Sequence, residues 1–150
     1  MSRTRRLVGV VLVLALVCTL SAAACDDGGA TPAPPGESTT LTFGTDDGVT
    51  LGGHLFGSSE VGVILCHMYP ADQTSWYAAA ARLAGEGYRV LTFDFRGYGE
   101  SEGEKDIQHL DMDVSAAIRA FGAAGVGHMV LVGASMGGTA GVGKRPSEPS

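Results

Sequence analysis

Ser135 has Gly133 and Gly137 two residues to either side, in the run VLVGASMGG. A serine hydroxyl is a weak nucleophile until a neighbouring base takes its proton. The pattern G-x-S-x-G is a very sharp strand-to-helix turn that pushes that hydroxyl clear of the backbone, and the glycines keep other side chains out of the bend. The chemistry open to such a hydroxyl is attack on an acyl carbon. In a chain with 23 Gly the bare pattern says little. Its setting says more, because the apolar run HMVLV precedes it and the small residues Gly138, Thr139 and Ala140 follow.

The partners such a serine needs are a base and an acid that orients it. His54, His67, His109 and His128 all precede Ser135, and beyond it the chain has no His, no Asp and only Glu148. Cys66 ends an apolar run and reads as a strand residue of the core rather than a second nucleophile. Gly97-Tyr98-Gly99 could suggest a dinucleotide loop, but the next Gly is at 103 instead of 102 and no helix opens there.

The elements that must hold Ser135 follow from periodicity. Thr39–Phe43 and Val49–Phe56 flank the turn signal Asp46-Asp47-Gly48 and read as a β-hairpin. Val61–Cys66 is short and apolar throughout, as a strand buried on both faces should be. The Ala-rich stretch from Thr74 to Gly87 predicts a helix with Trp76, Ala80, Leu83 and Ala84 on one face, capped by Asp72 or Thr74. Tyr88–Phe95 reads as a strand. Leu110, Val114, Ala117, Ile118 and Phe121 recur at helical spacing, and His128–Gly133 is the next strand. This order predicts an α/β fold: a three-layer α/β/α sandwich around a mainly parallel sheet. The loops that begin at His67, Arg96 and Ala134 leave from strand C-terminal ends, where such sheets bind ligands, and should converge.

Three segments in order resemble the N-terminal half of the α/β-hydrolase fold: VILCHMYPADQTSW after the third strand, FDFRGYGESEG after the fourth, and LVGASMGG at the serine turn. The resemblance covers about residues 39–140 and implies a serine hydrolase acting on ester or amide bonds of a small molecule, with no cofactor and no metal. Ser135 would be the nucleophile, Gly133 and Gly137 the glycines of the turn. The backbone N–H groups of Tyr69 and Met136 would hold the oxyanion. Met68 stands where that family commonly has Gly. The resemblance makes His67 a residue that shapes its loop, and Asp94 with Arg96 an ion pair that sets the neighbouring loop. The family's base and acid follow its nucleophile, and this chain has no match for them.

The ends of the chain carry a different message. Met1–Arg6 is basic, Leu7–Leu20 is apolar without interruption, and Ser21–Ala24 is small, the order of a secretory signal over residues 1–24. A Cys directly after the small residues resembles a bacterial lipoprotein signal, which implies a lipid on Cys25. An ordinary signal, or an uncleaved N-terminal anchor, stays open. Residues 25–38 are polar and rich in Pro and Gly, a flexible tether. Removing Arg3, Arg5 and Arg6 with the signal takes the formal charge from −6 to −9, so nucleic acid is excluded as a partner and the expected partner is a membrane, through the lipid. With Cys18 in the signal and Cys25 lipidated, only Cys66 remains and no internal disulfide can form.

Residues 39–140 are expected to form a partial hydrolase domain. Residues 141–150, with two Gly, two Pro and charge, read as a disordered or aberrant tail. That shift in composition suggests truncation or a changed reading frame, a strand 128–133 left as an open apolar edge, and a fragment inactive on its own. The alternative is a non-catalytic exported lipoprotein with a hydrolase-like half-fold.

Overall fold

A computed structural model describes residues 36–141. The signal, Cys25, nearly all of the tether and nearly all of the 141–150 tail lie outside the described residues. Strands β1 (Ser38–Gly44), β2 (Thr50–Phe56), β3 (Val61–Cys66), β4 (Arg89–Phe93) and β5 (His128–Gly133) form one sheet in the order β1-β2-β4-β3-β5. β1 and β2 are the antiparallel hairpin read from the sequence, and β2 also runs antiparallel to β4. β3 lies parallel to both β4 and β5. The sheet is therefore mixed, with its parallel part around β3.

Alternation along the strands builds two cores. Ile64, Leu91 and Phe93 face one side, where α2 (Leu110–Ala123) contributes Leu110, Val114, Ala117 and Phe121. Leu65, Val90 and Phe56 face the other, where α1 (Tyr77–Gly85) contributes Tyr77 and Ala80. The short helix α3 (Met136–Gly141) joins the first core through Met136. Helices on both faces of one sheet make the expected three layers. Among the described residues no helix is long and apolar enough to cross a membrane.

Element ends depart from the sequence reading for definable reasons. A 3₁₀ turn, Gln73–Trp76, precedes α1, and the Asp72 side chain caps it by accepting from the Thr74 N–H. Tyr88 is outside β4 because its N–H reaches back to the Leu83 carbonyl, closing α1 over Gly87 at φ 94°. Asp94 and Phe95 leave the sheet to begin the next loop. β5 pairs only with β3 among the described residues, and Val130 and Val132 on it are 60% and 40% exposed.

The expected Asp94–Arg96 ion pair does not form. Arg96 instead donates from Nε and Nη2 to Asp113 Oδ1 at 2.9 and 2.7 Å, and from its backbone N–H to Asp113 Oδ2 at 3.0 Å. Its Nη1 and Nη2 also reach the two carboxylate oxygens of Asp47, at 2.7 and 3.1 Å. One guanidinium thus fastens the loop after β4 to the first turn of α2 and to the hairpin turn. Asp47 and Asp113 hold Arg96 firmly protonated. The same guanidinium keeps the Asp47 carboxyl well below the usual carboxylate range, whereas burial pushes Asp113 up against the pull of Arg96.

Removing one member of a buried pair strands the other, so Asp113→Ala should lower the unfolding free energy by about 3 kcal/mol. Asp47→Ala, whose carboxyl is part-exposed, should cost less. Urea unfolding followed by circular dichroism gives both values, and an Asp113→Ala loss no larger than that of Asp47→Ala would refute the ranking.

Candidate active site

β3, β4 and β5 end side by side, and the loops that leave them are stitched together. The Ala134 N–H donates to the Cys66 carbonyl at 3.4 Å, linking the ends of β5 and β3. His67, fully buried, links β3 to β4: its Nε2 accepts from the Phe95 N–H at 3.1 Å, and its Nδ1 lies 3.1 Å from the Met68 carbonyl, to which it donates. Its ring also packs edge-on against Phe95 and Tyr98. Both ring nitrogens are therefore engaged, and the residue shapes its loop. Burial lowers the His67 pKa, with the nearby Met68 carbonyl and Asp94 opposing that shift.

The loop after β4 is organised by Asp94. Its carboxylate accepts from the Gln73 N–H and Nε2, both at 2.8 Å, and from the Glu100 N–H at 2.9 Å. Gln73 in turn accepts at Oε1 from the Thr92 hydroxyl at 3.0 Å. Nothing in the sequence periodicity marks Gln73 or Asp113 for these roles. Each is a polar residue beside a turn or in a helix's first turn, where solvation is the ordinary outcome.

Above this floor sits the serine turn. Ser135 joins β5 to α3 with φ 49°, and it is the one non-Gly residue at positive φ among the described residues. Such a conformation costs on the order of 1–3 kcal/mol and persists where the surroundings enforce it. The enforcement is steric. A Cβ on Gly133 would strike the backbone of Gly137 and Gly138, and one on Gly137 would strike the carbonyls of Cys66 and His67. α3 closes behind it, with the Thr139 N–H donating to the Ser135 carbonyl at 3.0 Å.

Ser135 is exposed and lines a cleft of about 540 Å³ together with Tyr69 and Met136, so the serine and the two residues carrying the candidate oxyanion donors share one space. Gly133 and Gly137 stand behind it. Tyr98, Lys105 and Leu110 also line the cleft, and the sequence did not assign them to the site. Tyr98 lies in the RGYG loop, which gave no hint that its ring would form a wall. Cys66 is buried and its thiol is pushed up to about 12 by burial, which removes it as a nucleophile. Among the described residues no cluster of ligating side chains could hold a metal ion.

Comparison with known proteins agrees with this fold. A family model described as the alpha/beta hydrolase fold matches residues 62–142, more than half of the chain. An uncharacterized Mycobacterium tuberculosis protein is 37% identical over 93 residues, which is 55% of this chain and 33% of that protein. The bifunctional epoxide hydrolase 2 of Sus scrofa is 33% identical over 78 residues, 51% of this chain and 14% of that one. Among solved structures, an esterase of Pyrococcus furiosus superposes with a TM-score of 0.64 at 26% identity, covering 74% of this chain and 49% of the esterase. An epoxide hydrolase of Vigna radiata gives 0.61 at 27% identity, covering 73% and 34%. The chain thus spans half or less of the length of these proteins.

The His67 pKa sets a pH dependence with a definite sign. Above about 6.5 the ring is neutral folded or unfolded. Below that the unfolded chain binds the proton first, so the stability His67 contributes is complete above about 6.5 and is lost as pH falls through the lowered folded value. Melting temperature should therefore drop between pH 7.5 and 5.5, and His67→Gln, which can still accept from the Phe95 N–H, should flatten that drop. A variant as pH-sensitive as the parent would refute the assignment.

Proposed function

The chain belongs to the α/β-hydrolase fold family, and on that premise we propose that it is the serine-bearing part of a hydrolase that cleaves ester or amide bonds by acyl transfer through Ser135. The observation that carries this reading is the conformation of Ser135, held at positive φ and exposed to a cleft it shares with Tyr69 and Met136. In the reaction, Ser135 Oγ bonds to the carbonyl carbon as a base takes its proton. The N–H groups of Met136 and Tyr69 donate to the resulting oxyanion, each worth about 3 kcal/mol in the transition state. The tetrahedral species expels the alcohol or amine, protonated by the same base, and water then hydrolyses the acyl-enzyme.

The esterase and epoxide hydrolase relatives differ in the chemistry their names describe, and a hydroxyl at position 135 favours the first. Serine opening an epoxide would leave an ether, which water does not readily cleave. A carboxylate would leave an ester, which it does. Acyl transfer is the reaction in which a serine adduct turns over.

The base is the open part of this reading. Among the described residues His67 has both nitrogens engaged, His54 pairs with Glu100, His109 pairs with Asp106, and His128 begins β5 at the end opposite the turn. A second reading is a non-catalytic exported lipoprotein. A fluorophosphonate probe separates the two. Modification of the Ser135 peptide in the full chain, absent in Ser135→Ala, is the expected result for the hydrolase; an unmodified Ser135 supports the second reading.

Both readings share an exported, lipid-anchored chain on the outer face of a bacterial membrane. Support for it comes from Arg3, Arg5 and Arg6, the apolar run 7–20, the small residues before Cys25 and the Pro/Gly-rich tether. An alkynyl fatty acid fed to an expressing bacterium should label the protein, and Cys25→Ser should abolish the label and release the chain from the membrane fraction. Equal labelling of the variant would rule out Cys25.

A further inference from the structure

We infer that the cleft beside Ser135 selects esters that carry a carboxylate, and that Lys105 is the residue that holds it. This rests on the reading of that cleft as the substrate site. The walls are largely apolar, formed by Tyr69, Tyr98, Ile107, Leu110 and Met136, and the charged groups among the lining residues are Lys105 and Asp106. Those two are not equivalent. Asp106 is already used within its own turn: one carboxylate oxygen lies 2.5 Å from His109 Nδ1, and the other accepts from the Gln108 N–H at 2.9 Å. Lys105 makes no ion pair among the described residues. Its ammonium instead lies over the Tyr98 ring, 4.4 Å from the centroid.

That perch is built, not incidental. Tyr98 is buried, packs edge-on against His67, and points its hydroxyl at Met136 Sδ, 3.9 Å away. The ammonium is thus placed on a ring fixed to the same floor as the serine turn. Its backbone is fixed as well. The loop from Gly97 to Glu102 is closed by the Gly97 N–H donating to the Glu102 carbonyl at 2.9 Å, and Lys105 N packs so tightly on Gly97 that a Cβ there would collide with it. A cation on an aromatic face keeps its charge for a partner, because the contact with the ring is worth only about 0.5–1 kcal/mol at an exposed site.

The consequence is discrimination within one substrate class. A neutral ester gains only apolar contact in the cleft. A hemiester of a short dicarboxylic acid, its ester carbonyl at Ser135, adds a charge pair to Lys105 within the same cleft. The chain as a whole is acidic, with a formal charge of −6, so the general field repels anions and the preference must be local to Lys105.

The test is equilibrium binding of monomethyl glutarate against dimethyl glutarate to the full chain, read from the amide NMR shifts of Tyr98 and Met136. The hemiester should bind about fivefold tighter in low salt, and raising NaCl from about 20 to about 500 mM should erase the difference. Lys105→Arg should keep the preference and Lys105→Met should abolish it, with unchanged melting temperatures because the residue is exposed. Equal affinity for the two esters, binding of neither, or a preference that survives Lys105→Met overturns the inference. Ser135→Ala should leave the preference intact. A failure of Ser135 to react with the fluorophosphonate while the preference holds would therefore sink acyl transfer and spare Lys105.

Discussion

A carboxylate without exposed surface, that of Asp94, accepts three N–H groups from two different loops, and the ceiling of the sheet is arranged around it. Burial of a charged acceptor is tolerable only when it is well hydrogen-bonded. Gln73 supplies two of the bonds and Glu100 the third, so the turn before α1 and the loop after β4 are held at one point. The backbone of Asp94 adds to this, its N–H donating to the Gly52 carbonyl and its own carbonyl accepting from the Ser101 hydroxyl. Four separate stretches of chain are thereby tied to one residue. Arg96, two residues on, does the same on the α2 face of the sheet with opposite charge. Together the two residues tie the Gly-rich loop down on both sides of the sheet.

What the sequence made legible is what depends on short-range period. Val61–Cys66 and His128–Gly133 were bounded to the residue, because an apolar run flanked by polar or Gly residues has few other outcomes. The burial face of α2 was equally plain. The ends of β4 were not. Tyr88 carries a strand-forming side chain, but its N–H is claimed by the helix that precedes it, and Phe95 is apolar but lies beyond the ladder, its N–H on His67. Local pattern reads side-chain preference, whereas these boundaries were decided by which backbone donor found which acceptor.

The polar interior shows the same division. Asp94 and Arg96 are two residues apart, of opposite charge and flanked by apolar residues, so pairing them was the economical reading. Arg96 lies in the turn beyond the strand's end, so the two side chains go to opposite sides of the sheet, and each found better-placed partners far away in sequence: Asp94 with Gln73 across 21 positions, Arg96 with Asp47 across 49. Long-range polar pairing leaves no periodic trace, and Gln73 and Asp113 could be found only in three dimensions. The cleft divides likewise. Ser135, Met136 and Tyr69 were reached through motifs, while Tyr98 and Lys105 became wall residues only because the loop that carries them lies beside the serine turn.

The serine turn is separable from the machinery that would activate it. Its geometry comes from β5, from the Gly133–Gly138 approach and from the carbonyls of Cys66 and His67 against Gly137, all within the described residues. None of those contacts involves a base. A hydroxyl can therefore be held in an attacking conformation by packing alone, with the strain of a positive φ sustained by the parallel β3–β5 pairing beneath it. The base sets how fast that hydroxyl reacts, and the turn sets where it points. The turn therefore stands on its own packing, and the reactivity of Ser135 must be judged separately.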